Sequence, residues 1–166
     1  MISITPIQLH HAPFMQHLAD DPAVAEMTRI PHPYPENGAI DFITKMIECR
    51  ANKSDYVFAI EAGGSFTGAC GLHNYDRISQ SFVLGYWIGK PFWGKGIATQ
   101  AVSLIVKFAF TELKLNMLYA ICLERNAPSR RVLEKNNFRE ISRTPNSDLK
   151  WRPDDIIVRY ELWNNH

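Results

Sequence analysis

The chain has 166 residues, 46% of them hydrophobic and 21% charged, which fits a single globular domain over residues 1–166 with one sizeable core. Its formal net charge is +1, so no strong overall field draws nucleic acid or an acidic membrane surface to it. Its three widely spaced cysteines exclude a disulfide framework and a Cys-x-x-Cys metal site, and the lack of a leader-like or membrane-length apolar run favours the cytoplasm.

The N-terminal third predicts one strand and two helices around a rigid loop. A strand is expected over residues 2–7, and a helix over residues 10–20 places Phe14 and Leu18 one turn apart. Three alternating prolines in residues 29–35 forbid a helix there and favour an extended loop. A second helix, which ends near Asn52, is indicated by apolar residues at helical spacing: Ile40, Ile43 and Ile47.

The rest of the chain predicts a run of strands followed by two helix–strand units. An antiparallel meander is expected from strands at residues 56–61, 66–73 and 82–88. The two later units have helices at residues 97–113 and 126–136 and strands at residues 117–123, 138–143 and 155–162. Asn126 is a good N-cap for the shorter helix, and Asn137 tolerates the left-handed conformation that ends it. This order predicts an α/β protein with a mixed sheet.

The most informative segment is the short loop between the third meander strand and the long helix. It contains Gly94 and Gly96, one residue apart, immediately before the helix starts at Ile97. Such a turn presents unpaired N–H groups beside the positive end of the helix dipole, and glycine lets a phosphate approach the main chain closely. We therefore expect a phosphate-bearing ligand here, the alternative being a tight turn that binds nothing.

Two common nucleotide-binding motifs do not fit this loop. Gly89, Gly94 and Lys95 nearly match a P-loop, but Gly96 stands where that motif needs Ser or Thr to hold magnesium. The dinucleotide-binding motif fails because no third glycine follows Gly96 in register. The loop is therefore predicted to bind a different phosphate-bearing ligand.

Two short motifs, taken together, identify a family. The first joins Tyr86-Trp87 to the loop sequence Trp93-Gly94-Lys95-Gly96-Ile97-Ala98-Thr99. The second runs Asn126-Ala-Pro-Ser129-Arg130-Arg131 and ends Glu134-Lys135-Asn-Asn137-Phe138. Both resemble the motifs of the GNAT acyltransferases, in particular the branch of ribosomal-protein N-acetyltransferases. The resemblance covers nearly the whole chain and implies a GNAT fold, with about six or seven strands, about four flanking helices, and strands that splay apart at the cofactor cleft.

Three positions depart from the family pattern. Pro91 replaces a Gln or Arg common in the wider superfamily, which removes one backbone N–H ahead of the loop. Asn137 replaces a glycine, which is a mild change at a left-handed position. Leu133 stands where many relatives have a tyrosine that protonates the leaving thiolate, so the identity of the acid is open.

The resemblance implies acetyl-CoA as the co-substrate, with no metal. Main-chain amides of the loop would hold the diphosphate, with Lys95 adding charge, and the backbone of Ile88 would bond the pantetheine arm and hold the thioester oxygen. Asn126 is assigned to the same arm, Ser129 to the sulfur, and Arg130 and Arg131 to the 3′-phosphate. The residues assigned to the cofactor are Ile88, Trp93, Gly94, Lys95, Gly96, Ile97, Ala98, Thr99, Asn126, Ser129 and Arg130.

The catalytic and acceptor-binding residues are less well defined by the sequence. Ser129 is the candidate donor to the thiolate, and the candidate bases for the amine are Glu124, His73 and Tyr86. Each has an equally good structural explanation, and transfer by positioning alone needs no strong base. In the family, the region of residues 29–35 lines the acceptor pocket, so the acceptor-side candidates are Arg29, His32 and Tyr34.

The sequence therefore predicts an N-acetyltransferase that moves acetyl from acetyl-CoA to a primary amine in a ternary complex. The acceptor is either the α-amine of a protein or a small-molecule amine, and the chain is expected to be a monomer or a homodimer without nucleic-acid or membrane partners. The alternative is a sensor that binds acyl-CoA without turnover, which the leucine at position 133 keeps open.

Overall fold

A seven-stranded sheet runs through the computed structural model, which describes residues 1–165. Its strands are β1 (Ile2–Pro6), β2 (Tyr56–Ala62), β3 (Ser65–Asp76), β4 (Ser81–Ile88), β5 (Met117–Leu123), β6 (Arg139–Pro145) and β7 (Ile156–Trp163). The α-helices are α1 (Ala12–Ala19), α2 (Pro22–Glu26), α3 (Gly38–Ala51), α4 (Ile97–Thr111) and α5 (Ala127–Lys135). Single 3₁₀ turns cover Leu9–His11 and Lys90–Phe92.

The sheet is mixed, with the strand order β1-β2-β3-β4-β5-β7-β6. Neighbouring strands are antiparallel except for β4 and β5, which run parallel and pair over residues 81–83 and 117–119. Beyond these pairs the two strands separate toward their carboxyl ends. The predicted α/β class, the mixed sheet and the splayed strands are therefore confirmed.

Two apolar layers cover the two faces of the sheet. One contains the buried face of α4 and joins it to strand residues such as Leu72, Leu84 and Leu118. The other joins α1 and α3 to residues such as Val57 and Ala69. The longest helix, α4, has 15 residues. No helix within residues 1–165 has both the length and the hydrophobicity needed to cross a membrane.

The structure corrects the predicted faces of the two N-terminal helices. Phe14, Ile40 and Ile47 are substantially exposed, at 57%, 51% and 39%. The face of α1 against the sheet is formed by Ala12, Met15 and Ala19. The face of α3 is formed by Ala39, Met46 and Ile43, the one member of the predicted triplet that is fully buried. Each helix offers two stripes at helical spacing, and the stripe with small alanines allows the closer approach to the sheet. The short helix α2 was not predicted, because a run of five residues carries too little periodicity.

Local signals that were strong in the sequence reappear in the structure. The Asn126 side chain accepts a hydrogen bond from the Ser129 amide at 3.3 Å and caps α5, as predicted. Asn137 follows the end of the helix with φ 67°, the left-handed conformation expected of it. Between β2 and β3, the first two strands of the predicted meander, the turn contains Gly63 and Gly64 with φ values of 57° and 83°.

Candidate active site

The gap between β4 and β5 is lined by backbone groups, and the strand hydrogen bonds decide which ones. The Gly89 amide donates to the Thr67 carbonyl next to β4 at 2.8 Å, and the Asn116 amide donates to the Gln80 carbonyl at 3.1 Å. Bonding directions alternate along a strand, so odd-numbered residues of β4 bond to β3 and even-numbered residues point toward β5. The even-numbered residues beyond position 83 therefore face the gap.

Tyr86 and Ile88 are the last two residues of β4 whose backbone groups face this gap. The Ile88 carbonyl already accepts a hydrogen bond from the indole N–H of Trp93 at 2.7 Å. The Ile88 amide remains directed into the gap, which is the geometry that the sequence-based assignment of this residue requires. The gap can therefore receive an extended amide-bearing chain, in the manner of an added strand.

A glycine loop with unbonded amides lies at the end of β4. Gly94 and Gly96 adopt left-handed φ values of 76° and 75°, and a Cβ added to either would meet no atom within 4 Å. The amides of residues 94–99 have no acceptor within the described chain. The Trp93 amide is different, because it donates to the Lys90 carbonyl at 3.2 Å, so its assignment as an anion-binding amide was wrong. The remaining amides fit a diphosphate at the start of α4.

The first turn of α5 brings predicted residues together across the gap. The hydroxyl groups of Ser129 on α5 and Tyr86 on β4 are 2.7 Å apart, and the Tyr86 hydroxyl also donates to the Ser129 carbonyl at 3.2 Å. Asn126, which caps the same turn, stands beside them. Three residues assigned separately from the sequence therefore form one cluster at the open end of the gap.

Burial fixes the protonation of the groups around Ser129. It raises the pKa of the Tyr86 phenol far above its ordinary value, so this side chain stays protonated and is a hydrogen-bond donor rather than a base. It also raises the pKa of the Cys122 thiol to about 11, which leaves that sulfur protonated beside Ser129. The prediction that Tyr86 removes a proton from the amine is therefore not supported, whereas its contact with Ser129 gives it another role.

Two residues of α5 differ from the roles implied by the resemblance. Leu133 is fully buried in the apolar layer under α4 and α5, so this position is part of the core and offers no acid. The Arg130 guanidinium is held toward the sheet by the Tyr160 hydroxyl at 3.0 Å, the Glu124 carbonyl at 3.4 Å and the Glu140 carboxylate at 3.6 Å. Because these contacts occupy it, the structure does not support Arg130 as a 3′-phosphate ligand.

The two other candidate bases lie in different places. His73 pairs with Val83, five positions before Ile88 on β4, or about 16 Å from the open end at 3.3 Å per residue. Its Nδ1 atom bonds to Asp55 at 2.7 Å, so the expectation that it lies near the cleft was wrong. Glu124 directly follows β5 at the correct end, where its carboxylate bonds to Arg143 at 2.5 Å.

The three acceptor-side candidates do not lie together in the structure. His32 lines a cavity of about 420 Å³, whereas Arg29 bonds to Asp148 at 2.5 Å and stacks over Trp151, which lines the same cavity. Tyr34 does not line it, because its ring packs against Gly38 in the layer of α1 and α3. The other polar lining residues are Glu26, Arg125, Lys150 and Arg152.

These polar residues were not found from the sequence. Glu26, Lys150 and Arg152 belong to no motif of the sequence. The one local signal was the basic and aromatic run Lys150-Trp151-Arg152, and a charged run is usually a solvated surface. Only the long-range contacts of the fold bring this run to Glu26 and Arg125.

Comparison with known proteins agrees with the resemblance. Residues 2–139 match the family model described as the acetyltransferase (GNAT) domain. The Putative ribosomal N-acetyltransferase YdaF of Bacillus subtilis (strain 168) is 42% identical over 85 residues, which span 49% of this chain and 46% of that protein.

Solved structures share the fold at low sequence identity. RimL, a ribosomal L7/L12 alpha-N-protein acetyltransferase in complex with coenzyme A, has a TM-score of 0.89 at 14% identity, covering 98% of this chain and 93% of RimL. Spermidine N-acetyltransferase from Vibrio cholerae, in complex with CoA and spermine, has a TM-score of 0.84 at 16% identity, covering 98% and 95%. At these identities the likeness shows a shared fold and leaves the acceptor open.

Proposed function

The chain belongs to the acetyltransferase (GNAT) family, and on that premise we propose that it moves an acetyl group from acetyl-CoA to a primary amine by direct transfer in a ternary complex. The observation that carries the proposal is the run of unbonded amides over residues 94–99, at the start of α4 and at the end of a strand that splays from its neighbour. A diphosphate fits the amides, and an extended amide-bearing arm fits the gap.

The cofactor side of the site uses mainly the backbone. Amides of Gly94 to Thr99 would donate to the diphosphate, and Lys95 adds a positive charge at the rim. The Lys95 ammonium lies over the Phe92 ring, 5.7 Å from its centre, which keeps it close to the loop. In place of Arg130, the exposed Arg131 on the outer face of α5 is the better candidate for a more distant phosphate.

The Ile88 amide is the proposed oxyanion donor. It points into the gap where the arm ends, and a donor at this position stabilises the negative charge that develops on the thioester oxygen during attack. One such donor is typically worth about 2.7–4 kcal/mol of transition-state stabilisation. Trp93 supports it, because its indole holds the Ile88 carbonyl at 2.7 Å and so fixes the peptide groups around it.

Ser129 is the proposed acid for the leaving thiolate. The Tyr86 hydroxyl has a single hydrogen, which lies within reach of both the Ser129 carbonyl and the Ser129 Oγ atom. When it donates to Oγ, the Ser129 hydrogen is left to turn toward the sulfur. Tyr86 therefore acts as a positioning residue. The protonated thiol of Cys122 is a poor nucleophile and does not compete with the amine for the acetyl group.

Deprotonation of the amine depends on Glu124 or on solvent. Because Tyr86 stays protonated and His73 lies far along the strand, Glu124, which directly follows β5 and bonds to Arg143, is the remaining candidate base, and it would act through a bridging water. Positioning of amine and thioester supplies the main acceleration. We place this reaction in the cytoplasm, and the relatives leave protein α-amines and polyamines as the two candidate acceptor classes.

Thiol release tests the proposed function directly. Purified protein is mixed with acetyl-CoA and a panel of peptide and polyamine acceptors, and free CoA thiol is measured over time. We expect release that requires an added amine and yields the N-acetylated product by mass spectrometry. Binding of acetyl-CoA without amine-dependent release would instead indicate the non-catalytic sensor.

The roles of Ser129 and Tyr86 are tested by removing one hydroxyl at a time. Ser129→Ala should lower kcat about 100-fold while leaving CoA affinity within about twofold, because general acid catalysis is typically worth 10²–10⁴. Tyr86→Phe should lower kcat about tenfold, while the shape of the curve of kcat against pH changes little. Ser103→Ala, on the exposed face of α4, is the matched control. Unchanged turnover in Ser129→Ala would remove this residue from the mechanism.

A further inference from the structure

The cavity next to Asn126 lies where an acceptor can approach the gap. Arg125, one of its lining residues, directly precedes Asn126 at the carboxyl end of β5. The opposite wall comes from α2 and His32. The cavity has about 420 Å³, which is enough for the amine end of a peptide or a small molecule.

The walls of this cavity carry more positive than negative charge. The cations at the cavity are Arg125, Lys150 and Arg152 of its lining and Arg29, which stacks on the lining residue Trp151. The carboxylates next to these cations are those of Glu26, Asp148 and Asp155. Asp155 is bound by Arg125 at 2.7 Å, and Glu26 lies 3.4 Å from Arg125 and 3.3 Å from Arg152. Asp148 is bound by Arg29, so four cations against three carboxylates leave one positive charge in excess.

The excess charge lies with Lys150 and Arg152. The Lys150 ammonium donates to the carbonyl groups of Ala25, Thr28 and Ile30, and no carboxylate of residues 1–165 lies within salt-bridge distance of it. These carbonyls use its hydrogens but do not neutralise its charge. The Arg152 side chain is 62% exposed, and within residues 1–165 its guanidinium bonds only to Glu26, so most of its donors can bind a ligand.

We propose that this cavity binds the acceptor and selects one that carries a carboxylate close to its amine and no second ammonium group. The proposal rests on the proposed function and narrows its acceptor. Arg152 can bind a carboxylate through two parallel hydrogen bonds, and the charge of Lys150 favours the same anion. A polyamine would place a second cation against both residues, where like charges repel.

Two kinds of acceptor share this chemistry. One is a peptide with a free N-terminus and an acidic residue in the next position. The other is a free amino acid, whose own carboxylate is adjacent to its amine. Both are tested in the same assay, so the result assigns the source of the carboxylate.

The test compares kcat/KM for acceptors that differ in charge. The panel contains the tripeptides Ser-Asp-Gly, Ser-Asn-Gly and Ser-Lys-Gly, free serine, and spermidine. We expect Ser-Asp-Gly to exceed Ser-Asn-Gly about tenfold and Ser-Lys-Gly and spermidine by more. The ratio of the Asp to the Asn peptide should fall as salt is raised from 50 to 500 mM, because a partly exposed ion pair is screened. If free serine matches the acidic peptide, its α-carboxylate is the group recognised.

A substitution tests whether Arg152 causes the preference for the acidic peptide. Arg152→Gln should reduce the ratio of the Asp to the Asn peptide to about twofold or less. Arg77→Gln, an exposed arginine in the turn between β3 and β4, removes the same charge far from the cavity and should keep the wild-type ratio. The salt series on the wild-type protein gives an independent reading if Arg152→Gln does not fold.

The possible failures are distinguishable. Equal kcat/KM for the Asp, Asn and Lys peptides, or spermidine as the best acceptor, would overturn this inference while leaving acetyl transfer established. Absence of amine-dependent CoA release with every acceptor, from protein that binds acetyl-CoA, would overturn the proposed function itself.

Discussion

The two sides of the gap between β4 and β5 are built in different ways. On the cofactor side, the main contacts are local: Asn126 caps an amide three residues away, and Trp93 holds a carbonyl five residues away. On the acceptor side, the ion pairs and hydrogen bonds join distant parts of the chain, with sequence separations of 119 for Arg29 and Asp148 and 126 for Glu26 and Arg152. A short motif therefore specifies the cofactor site, whereas the acceptor cavity exists only in the folded chain.

The largest effect on this contrast is expected from Gly94→Val. A side chain here meets no protein atom within 4 Å but would project into the space beside the loop amides. If it costs two charge-assisted hydrogen bonds of about 1.5 kcal/mol each, CoA affinity falls by about two orders of magnitude. Calorimetry on the folded variant measures this change.

Gly63→Val is the matched control for the left-handed backbone. Gly63 also has positive φ and open space around its Cβ, but it lies in the turn between β2 and β3. Both variants should lose about 1–2 kcal/mol of stability from backbone strain. Equal CoA affinity in the two variants would contradict the assignment of the loop.

A smaller effect, confined to the acceptor side, is expected from Lys150→Met. Its ammonium joins the loop before β7 to the end of α2, with distances of 2.8 Å to the Ala25 carbonyl and 2.7 Å to the Ile30 carbonyl. Loss of these bonds should raise the acceptor KM about tenfold and cost about 1–2 kcal/mol of stability. The KM for acetyl-CoA should stay within twofold.

Steady-state kinetics with each substrate varied in turn measures both KM values. Lys45→Met, on the exposed face of α3, removes the same charge away from the cavity and is the control. A parallel rise in both KM values would show that the two sides are not independent.

The smallest expected effect is a pH dependence of folding stability, which comes from His11 in the apolar layer of α1 and α3. Burial lowers the pKa of His11 below its ordinary value of 6.5, and its Nδ1 atom accepts a hydrogen bond from the Gln8 amide at 3.0 Å. Below pH 6.5 the unfolded chain binds a proton that the folded chain resists, so stability is full above pH 6.5 and falls as the pH drops toward the folded pKa. Between pH 7.5 and 5.5 this contribution should be less than about 1 kcal/mol.

Urea unfolding of wild type and His11→Gln at the two pH values measures this difference. The variant should lose less stability than the wild type on going to pH 5.5. His17→Gln, an exposed histidine on α1, should behave as the wild type does. An identical pH dependence in His11→Gln and wild type would show that His11 is not the titrating group.

The same contrast explains what could be predicted from the sequence. The order of strands and helices, the cap at Asn126 and the left-handed glycines follow from local periodicity and turn chemistry, and all appear in the structure. The exposure of Phe14 in α1 and of Ile40 and Ile47 in α3 reflects a choice between two apolar stripes, which only packing decides. His73 was misplaced because its distance from the gap depends on strand register. The contacts of Arg130 could not be foreseen because its partners lie on β6, on β7 and directly after β5.

The hydrogen bond from Trp93 to Ile88 gives the open strand edge a fixed end. Tyr86 offers both of its backbone groups to an incoming chain, but at Ile88 the carbonyl is closed by the indole and the amide alone is left. A ligand that adds itself to this edge cannot slide past that point by one hydrogen-bonded step without losing a partner. The indole therefore fixes the register in which a ligand pairs with this edge, and so it fixes the position of the ligand's reactive end.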